Sequence, residues 1–384
     1  MNDDYRGYFD YAAATPLDGR VRQKMEPFFS EIFYNPSAIY LKARDARIAK
    51  EESRHRISQN IGAKESEIIF TAGGTEANNL AIKGLQNSYR NSHFICIATD
   101  HDSVIKPIIS TQYYSIVAVD KRGFINLDDL ENKINNDTVL VSVCYANNEI
   151  GTIQPIKDIK SLIDRHLAAR KERGNKLPLY FHLDAAQATN YLDISVGRLG
   201  VDLMSINSGK IYGPKQVGCL FVRAGINISP LIEGGGQEHN LRSGTENIAS
   251  IVGFSYALEQ AVKNRKSESK RLITIRDQLI SNINKEIDYA FVNGAKGSKR
   301  LANNINLTIP KIDNEYFLMQ LDELGFMVAT GSACSASSDE PSHVLEAIGL
   351  SKEDIFSTLR ITLGRYTNLE SVNLLEQAIK SLFK

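Results

Sequence analysis

Between residues 65 and 225 the chain repeats one pattern: a short run of β-branched and other apolar residues, then a longer stretch with helical periodicity. The short runs fall at 67–71, 94–99, 115–119, 139–145, 179–183, 203–207 and 218–222. Strands alternating with helices at this spacing predict βαβ units and a mainly parallel sheet. A single helical stretch follows at 247–286, with a basic, solvated segment at 263–271, and reads as a connector between domains. The pattern then restarts: strand 304–309, helix 315–324, strand 326–329, a loop of small residues, helix 343–348, strand 358–363 and a closing helix. In that last helix Leu369, Val372, Leu375, Ile379 and Leu382 recur at three- and four-residue steps, which marks one core face.

The 384 residues suit two packed domains, and a chain of this length buries a sizeable core without a disulfide or metal staple. Lys plus Arg equals Asp plus Glu, 45 each, so no net field favours a polyanion; direct nucleic-acid binding is not expected. No stretch approaches the roughly eighteen apolar residues of a membrane helix, so no membrane partner is expected either. The seven histidines are scattered without helical metal spacing, and no metal site is expected. The four cysteines, at 96, 144, 219 and 334, are too sparse for a secreted disulfide framework. With an acidic amino terminus and no apolar leader segment, they predict a reducing, cytoplasmic setting.

Three of those cysteines fall inside strand runs and read as packing. Cys334 stands instead in Gly331-Ser332-Ala333-Cys334-Ser335-Ala336-Ser337-Ser338, where a thiol is exposed and can serve as a nucleophile if its surroundings favour the thiolate. Four further stretches could carry chemistry. Phe70-Thr71-Ala72-Gly73-Gly74-Thr75-Glu76 runs a strand through paired glycines into a helix, a place for a phosphate, although a plain helix cap would look the same. Asp184, in Tyr180-Phe181-His182-Leu183-Asp184-Ala185-Ala186-Gln187, follows the end of a parallel strand, where open α/β sheets bind ligands and where helix N-caps also occur. Lys210 lies in the turn Ser208-Gly209-Lys210-Ile211-Tyr212-Gly213-Pro214-Lys215. A pyridoxal phosphate enzyme needs a Schiff-base lysine, a carboxylate for the ring nitrogen and a phosphate cradle, and all three occur in order on successive βα connections. Arg360, alone on the apolar strand Thr358-Leu359-Arg360-Ile361-Thr362, offers a planar fork for a carboxylate or forms a structural ion pair.

These stretches, with Asn147-Asn148-Glu149-Ile150-Gly151 and Arg242-Ser243-Gly244-Thr245, resemble cysteine desulfurases of the NifS/IscS type, within the class V aminotransferases of PLP-dependent fold type I. The similarity runs from Phe9-Asp10-Tyr11-Ala12-Ala13-Ala14-Thr15-Pro16 to Leu359-Arg360-Ile361-Thr362-Leu363-Gly364-Arg365, and the loop around Cys334 is similar to that of the long-loop group. The resemblance implies an α/β fold with a large cofactor domain (14–255), whose mainly parallel sheet is flanked by helices, and a smaller α+β domain (1–13 and 256–384) carrying the cysteine loop. It implies that Lys210 holds pyridoxal 5'-phosphate as a Schiff base, that Asp184 pairs with the ring nitrogen, and that Gln187 bonds the ring oxygen. His101 would stack on the ring and move protons. Gly74 and Thr75 would hold the phosphate, helped by Thr245 from the other subunit of a homodimer. Asn148 and Arg360 would position the carboxylate of L-cysteine. The product would be L-alanine, with a persulfide on Cys334 for a sulfur-acceptor protein, either an iron-sulfur scaffold or a tRNA-thiolation enzyme.

Three departures bear on that reading. The family usually has Ser-x-His-Lys at the Schiff-base lysine, whereas Asn207-Ser208-Gly209-Lys210 stands here; Asn207 or Ser208 is expected to compensate, with weaker cofactor retention. His239 replaces a common arginine. The chain stops at Lys384, without the extension that housekeeping members use for scaffold docking. The alternatives are a related enzyme acting on another amino acid such as selenocysteine, and a non-catalytic sulfur-carrier or interaction paralogue.

Overall fold

The computed structural model describes residues 5–331 and 340–383. Its strands are β1 (Ile68–Thr71), β2 (His93–Ile97), β3 (Tyr114–Val117), β4 (Thr138–Cys144), β5 (Tyr180–Asp184), β6 (Leu203–Asn207), β7 (Gly218–Val222), β8 (Phe291–Val292), β9 (Asn304–Thr308) and β10 (Thr358–Thr362). Its helices are α1 (Gly19–Met25), α2 (Pro27–Ser30), α3 (Leu41–Ile61), α4 (Gly74–Ser88), α5 (Asp102–Ile109), α6 (Leu127–Lys133), α7 (Ile156–Glu172), α8 (Val196–Leu199), α9 (Ile248–Glu286), α10 (Asn314–Glu323), α11 (His343–Ala347), α12 (Lys352–Ile355) and α13 (Leu369–Ser381).

The large sheet has the order β1-β7-β6-β5-β4-β2-β3. Strands β3, β2, β4, β5 and β6 run parallel, while β7 lies antiparallel to both β6 and β1. The exception has a local cause: the 208–217 connection holds only a turn, and a parallel neighbour requires a crossover of a dozen or more residues. Strands β2 and β4 are buried along their whole length, as helices on both faces demand, which is why they read as continuous apolar runs. Cys96 in β2, Cys144 in β4 and Cys219 in β7 are all buried. The chain lays β2 and β3 on one side of β4, then β5, β6 and β7 on the other, which opens a crevice beyond the carboxyl ends of β2 and β4.

A second core surrounds the sheet β10-β9-β8. Helix α9 serves both cores: Ile251, Phe254, Leu258 and Ala261 pack with the large sheet, and Leu272, Ile275, Leu279 and Ile283 with the small one. Between them lies the basic segment that the sequence predicts to be solvated. The amino-terminal Phe9 belongs to the second core, and its backbone bonds Met327 and Thr362.

The expected strand at 326–329 does not form. Tyr8 pairs with Met327 and Ala329 with Arg360 as isolated bridges, so this segment changes partner within three residues and builds no ladder. The two-residue edge strand β8 is too short to leave an alternating pattern. Among the described residues no helix is long and apolar enough to cross a membrane.

Candidate active site

The crevice holds a cavity lined by strand ends of the large sheet and by Arg360 of the small one. Its first wall is the start of α4. Strand β1 ends at Thr71, and the chain turns through Gly73 at φ +134°, a backbone state open to glycine and costly for any side chain. Helix α4 then begins at Gly74, where a Cβ would come within 3.3 Å of the Asn207 side chain, so helix start and Asn207 close on each other. The Asn207 Oδ1 accepts from Gly209 N–H at 3.1 Å, which leaves its amide nitrogen as the donor end. Gly74, Thr75 and Asn207 all line the cavity. Ser208 does not; its buried hydroxyl packs against Gly213, where a Cβ would fall 2.2 Å from it. Any compensation for the altered lysine motif therefore falls to Asn207.

Behind this wall Asp184 ends β5, with one carboxylate oxygen accepting from Ala186 N–H at 2.9 Å and the other from Asn78 Nδ2 at 2.8 Å. Asn78 lies one helical turn after Gly74 and also donates to Ser103 Oγ at 2.9 Å. Ser103 N–H donates to Nδ1 of His101 at 3.0 Å, so the imidazole caps α5 and carries its proton on Nε2. Burial lowers its affinity for a second proton, against the nearby Asp184 carboxylate that favours the charged form. His101 is therefore neutral near pH 7.

Lys210 projects from the turn after β6, and its Nζ donates to the carbonyls of Ala12 and Ala13 at 2.8 and 2.6 Å. Gln187 Nε2 donates to the same Ala12 carbonyl at 2.9 Å. The amino-terminal segment thus supplies backbone acceptors to the site, a role invisible in side-chain chemistry. Arg360 enters from β10; it is 1% exposed, its Nη2 donates to Asp10 at 2.7 Å, and its Nε has no partner among the described residues. Asn148 lines the same cavity.

Cys334 lies outside the described residues, yet both flanks of its segment are tied to the site. Ala329 N–H donates to the Arg360 carbonyl at 3.1 Å. On the other flank Ser342 Oγ donates to Glu149 at 2.6 Å, and His343 Nε2 donates to the carbonyl of Asp100 at 2.9 Å. Thr245 does not line this cavity; it is exposed on the glycine-rich loop before α9. Sequence reasoning missed Asn78, Ser103 and Cys144, which also line it. For Asn78 a signal exists, since position i+4 from Gly74 faces whatever the helix start binds.

The donor set fits pyridoxal phosphate. The glycines keep side chains away from the amino end of α4, Asp184 forms no salt bridge among the described residues and so offers a carboxylate for a ring N–H, and a primary amine faces both.

The family model for class-V aminotransferases matches residues 7–375. The cysteine desulfurase IscS of Dictyoglomus turgidum is 44% identical over 98% of this chain and 95% of that protein. The cysteine desulfurase IscS 1 of Archaeoglobus fulgidus is 41% identical, over 98% and 97%. Among solved structures, a NifS-like protein superposes with a TM-score of 0.90 at 30% identity, covering 98% of both chains. SspA in complex with cysteine superposes at 0.80 with 35% identity, covering 94% of this chain and all of that one.

Proposed function

The chain belongs to the class-V aminotransferase family, and from that premise we propose that it is a pyridoxal phosphate-dependent cysteine desulfurase, converting L-cysteine to L-alanine with transfer of the sulfur to Cys334. One observation carries this reading: a single cavity gathers Lys210, Asp184, His101 and Arg360 beside the amino end of α4. Lys210, Asp184, Gln187, Gly74, Thr75 and Asn207 would hold the cofactor. When bound, it supplies the electron sink that makes the substrate's Cα proton acidic.

The chain's own groups then divide the work. Arg360 holds the substrate carboxylate through its fork, with Asn148 beside it. Lys210 Nζ takes the Cα proton, and its contacts with Ala12 and Ala13 hold the amine at the cavity wall. His101 holds a proton at Nε2 for exchange with the substrate. The Cys334 thiol takes the sulfur: the substrate C–S bond breaks, an S–S bond forms, and one thiol hydrogen ends on the alanine methyl group, so L-cysteine plus thiol gives L-alanine plus persulfide. Ala329 is bonded to Arg360 and Ser342 to Glu149, the neighbour of Asn148, so the described residues on either side of the cysteine segment are held next to residues of the site.

The active form is a homodimer. Phe29, Phe33, Ile39, Tyr40 and Leu41, close in sequence around the start of α3, are all exposed, the kind of apolar residues that a second copy covers. Lys50 of α3 pairs with Glu246 at 2.7 Å, so the helix that starts at this surface also holds the loop of Thr245. Thr245 of the partner subunit would complete the phosphate site. The persulfide passes to an acceptor protein, and the domain boundary lies within α9, after residue 255.

The test is direct. Purified protein supplied with cofactor should show the visible absorption of a lysine-bound cofactor and form alanine and sulfide from cysteine. Lys210→Ala should lose the band, and Cys334→Ser should keep it while losing alanine formation. A wild-type protein without the band, or undiminished alanine formation in Cys334→Ser, overturns the reading.

A further inference from the structure

Asp100 is fully buried and forms no salt bridge among the described residues, yet it joins two strand ends. Its Oδ2 accepts from Ile97 N–H, the last residue of β2, at 2.9 Å, and its Oδ1 accepts from Cys144 N–H, the last residue of β4, at 2.6 Å. The crevice opens between those two strands; Cys144, which donates to this carboxyl, lines its cavity, as does His101, the next residue after Asp100.

From Asp100 a closed circuit can be followed. Cys144 stands in register with Asp184 across the β4–β5 ladder, and Tyr145 N–H donates to the Asp184 carbonyl at 2.9 Å. The Asp184 carboxylate accepts from Asn78, Asn78 donates to Ser103, and Ser103 donates to His101. His101 follows Asp100 in the chain, which closes the ring. The Asp100 carbonyl also accepts from His343 Nε2, so the other domain docks on the same residue.

We propose that Asp100 is a positioning residue, whose carboxyl clamps the ends of β2 and β4 and so sets His101 relative to Asp184, placing a second acidic group beside the one that holds the cofactor. This rests on the reading given under Proposed function. A purely structural bridge needs no acid, since two N–H donors are met equally well by backbone carbonyls, and burying a carboxyl without a cation is costly. Burial pushes the Asp100 carboxyl up to about 7, against the hydrogen bonds from Ile97 and Cys144 that pull it down. The titratable groups facing it are Cys96 from β2, Cys144 from β4, Asp184 from β5, His343 from α11 and its own neighbour His101. Both thiols are buried and held neutral, so the acid–acid relation with Asp184 is the one that charge can change.

The experiment compares Asp100→Asn and Asp100→Glu with wild type as holoenzymes, reading cofactor absorption against pH alongside kcat and KM for cysteine. Loss of a negative charge beside the site disfavours cationic forms, so Asp100→Asn should lower the pH midpoint of the visible band by half a unit or more. It should cut kcat about tenfold with KM within twofold. Asp100→Glu, which keeps the charge, should show the smaller midpoint shift, and it carries the test if the Asn variant fails to fold. Equal midpoints in wild type and variants, or a larger shift in Glu than in Asn, overturn the proposal. A wild-type protein with no band overturns instead the function on which it rests.

Discussion

Arg360 Nη2 donates to Asp10 Oδ1 at 2.7 Å, a contact between residues 350 positions apart in the chain. The same arginine pairs through its backbone with Ala329, so one buried residue ties together the amino-terminal segment, β10 and the approach to the cysteine loop. A guanidinium taken out of water with one carboxylate partner and an unmet Nε is expensive unless another acceptor arrives. In the proposed function a substrate carboxylate would meet that need, with Asp10 orienting the fork that receives it.

Arg360→Lys keeps the charge and loses the fork. The KM for cysteine should rise about tenfold or more, the scale of one charge-assisted bond, with a smaller effect on kcat. Asp10→Asn, which leaves the arginine in place and loosens its orientation, should raise KM less. Steady-state kinetics on the two variants decide the point, and an unchanged KM in Arg360→Lys would remove the arginine from substrate binding.

Gly73→Ala tests the cradle. At φ +134° and ψ −174° the added methyl is opposed by the backbone itself, whatever space surrounds it. The cost should be about 1–3 kcal/mol, visible as a lower melting temperature, and the displaced start of α4 should release cofactor faster on dialysis. Gly174→Ala, also at positive φ but in open space far along the chain, should lower melting without changing cofactor retention. Equal retention in both variants would sever Gly73 from the phosphate site.

The most legible parts of this site in sequence share one property: each is a side chain whose chemistry is out of keeping with its neighbours. Lys210 sits in a glycine-bounded turn, Asp184 at the end of an apolar run, and Arg360 within one. What stayed hidden is carried by groups without such contrast. The carbonyls of Ala12 and Ala13 belong to residues with no functional side chain, and Asp100 gains its meaning only when sheet order brings β2 beside β4. The missing strand at 326–329 is the same lesson in the fold. Its apolar pattern records burial, whereas a ladder needs one partner along its length, and this segment has two.

The pH dependence of stability should show two opposed contributions. Burial between Ser142 and Ser205 holds His182 neutral down to about 4, from an ordinary 6.5. The unfolded chain takes up that proton first, so stability falls as pH drops from 6.5 towards 4. Asp100 acts in the other sense: with its carboxyl raised from 3.8 to about 7, the folded chain takes up the proton first, and stability rises over the same descent. Each contribution is on the order of 3 kcal/mol if nothing relaxes, so wild type should show a shallow profile. Asp100→Asn removes one arm, and its unfolding free energy from denaturant titrations should fall more steeply between pH 7 and 4. Parallel profiles would show that Asp100 titrates normally.

The proposed homodimer makes a prediction that is separable from catalysis in one subunit. Ile39 is 98% exposed and Leu41 84%, a burden that an isolated chain has no reason to carry. Burying such side chains contributes roughly 1.5–3 kcal/mol apiece, so a charge at either position should shift the assembly towards monomer by well over tenfold in dissociation constant. Sedimentation of Ile39→Asp with Leu41→Asp should give a single-chain mass at concentrations where wild type gives twice that. If Thr245 of the partner subunit completes the phosphate site, the monomer should also lose cofactor faster, and a Thr245→Ala dimer should reproduce that loss with its assembly intact. A wild-type protein that sediments as a single chain, with the cofactor firmly held, would refute both the dimer and the shared phosphate site.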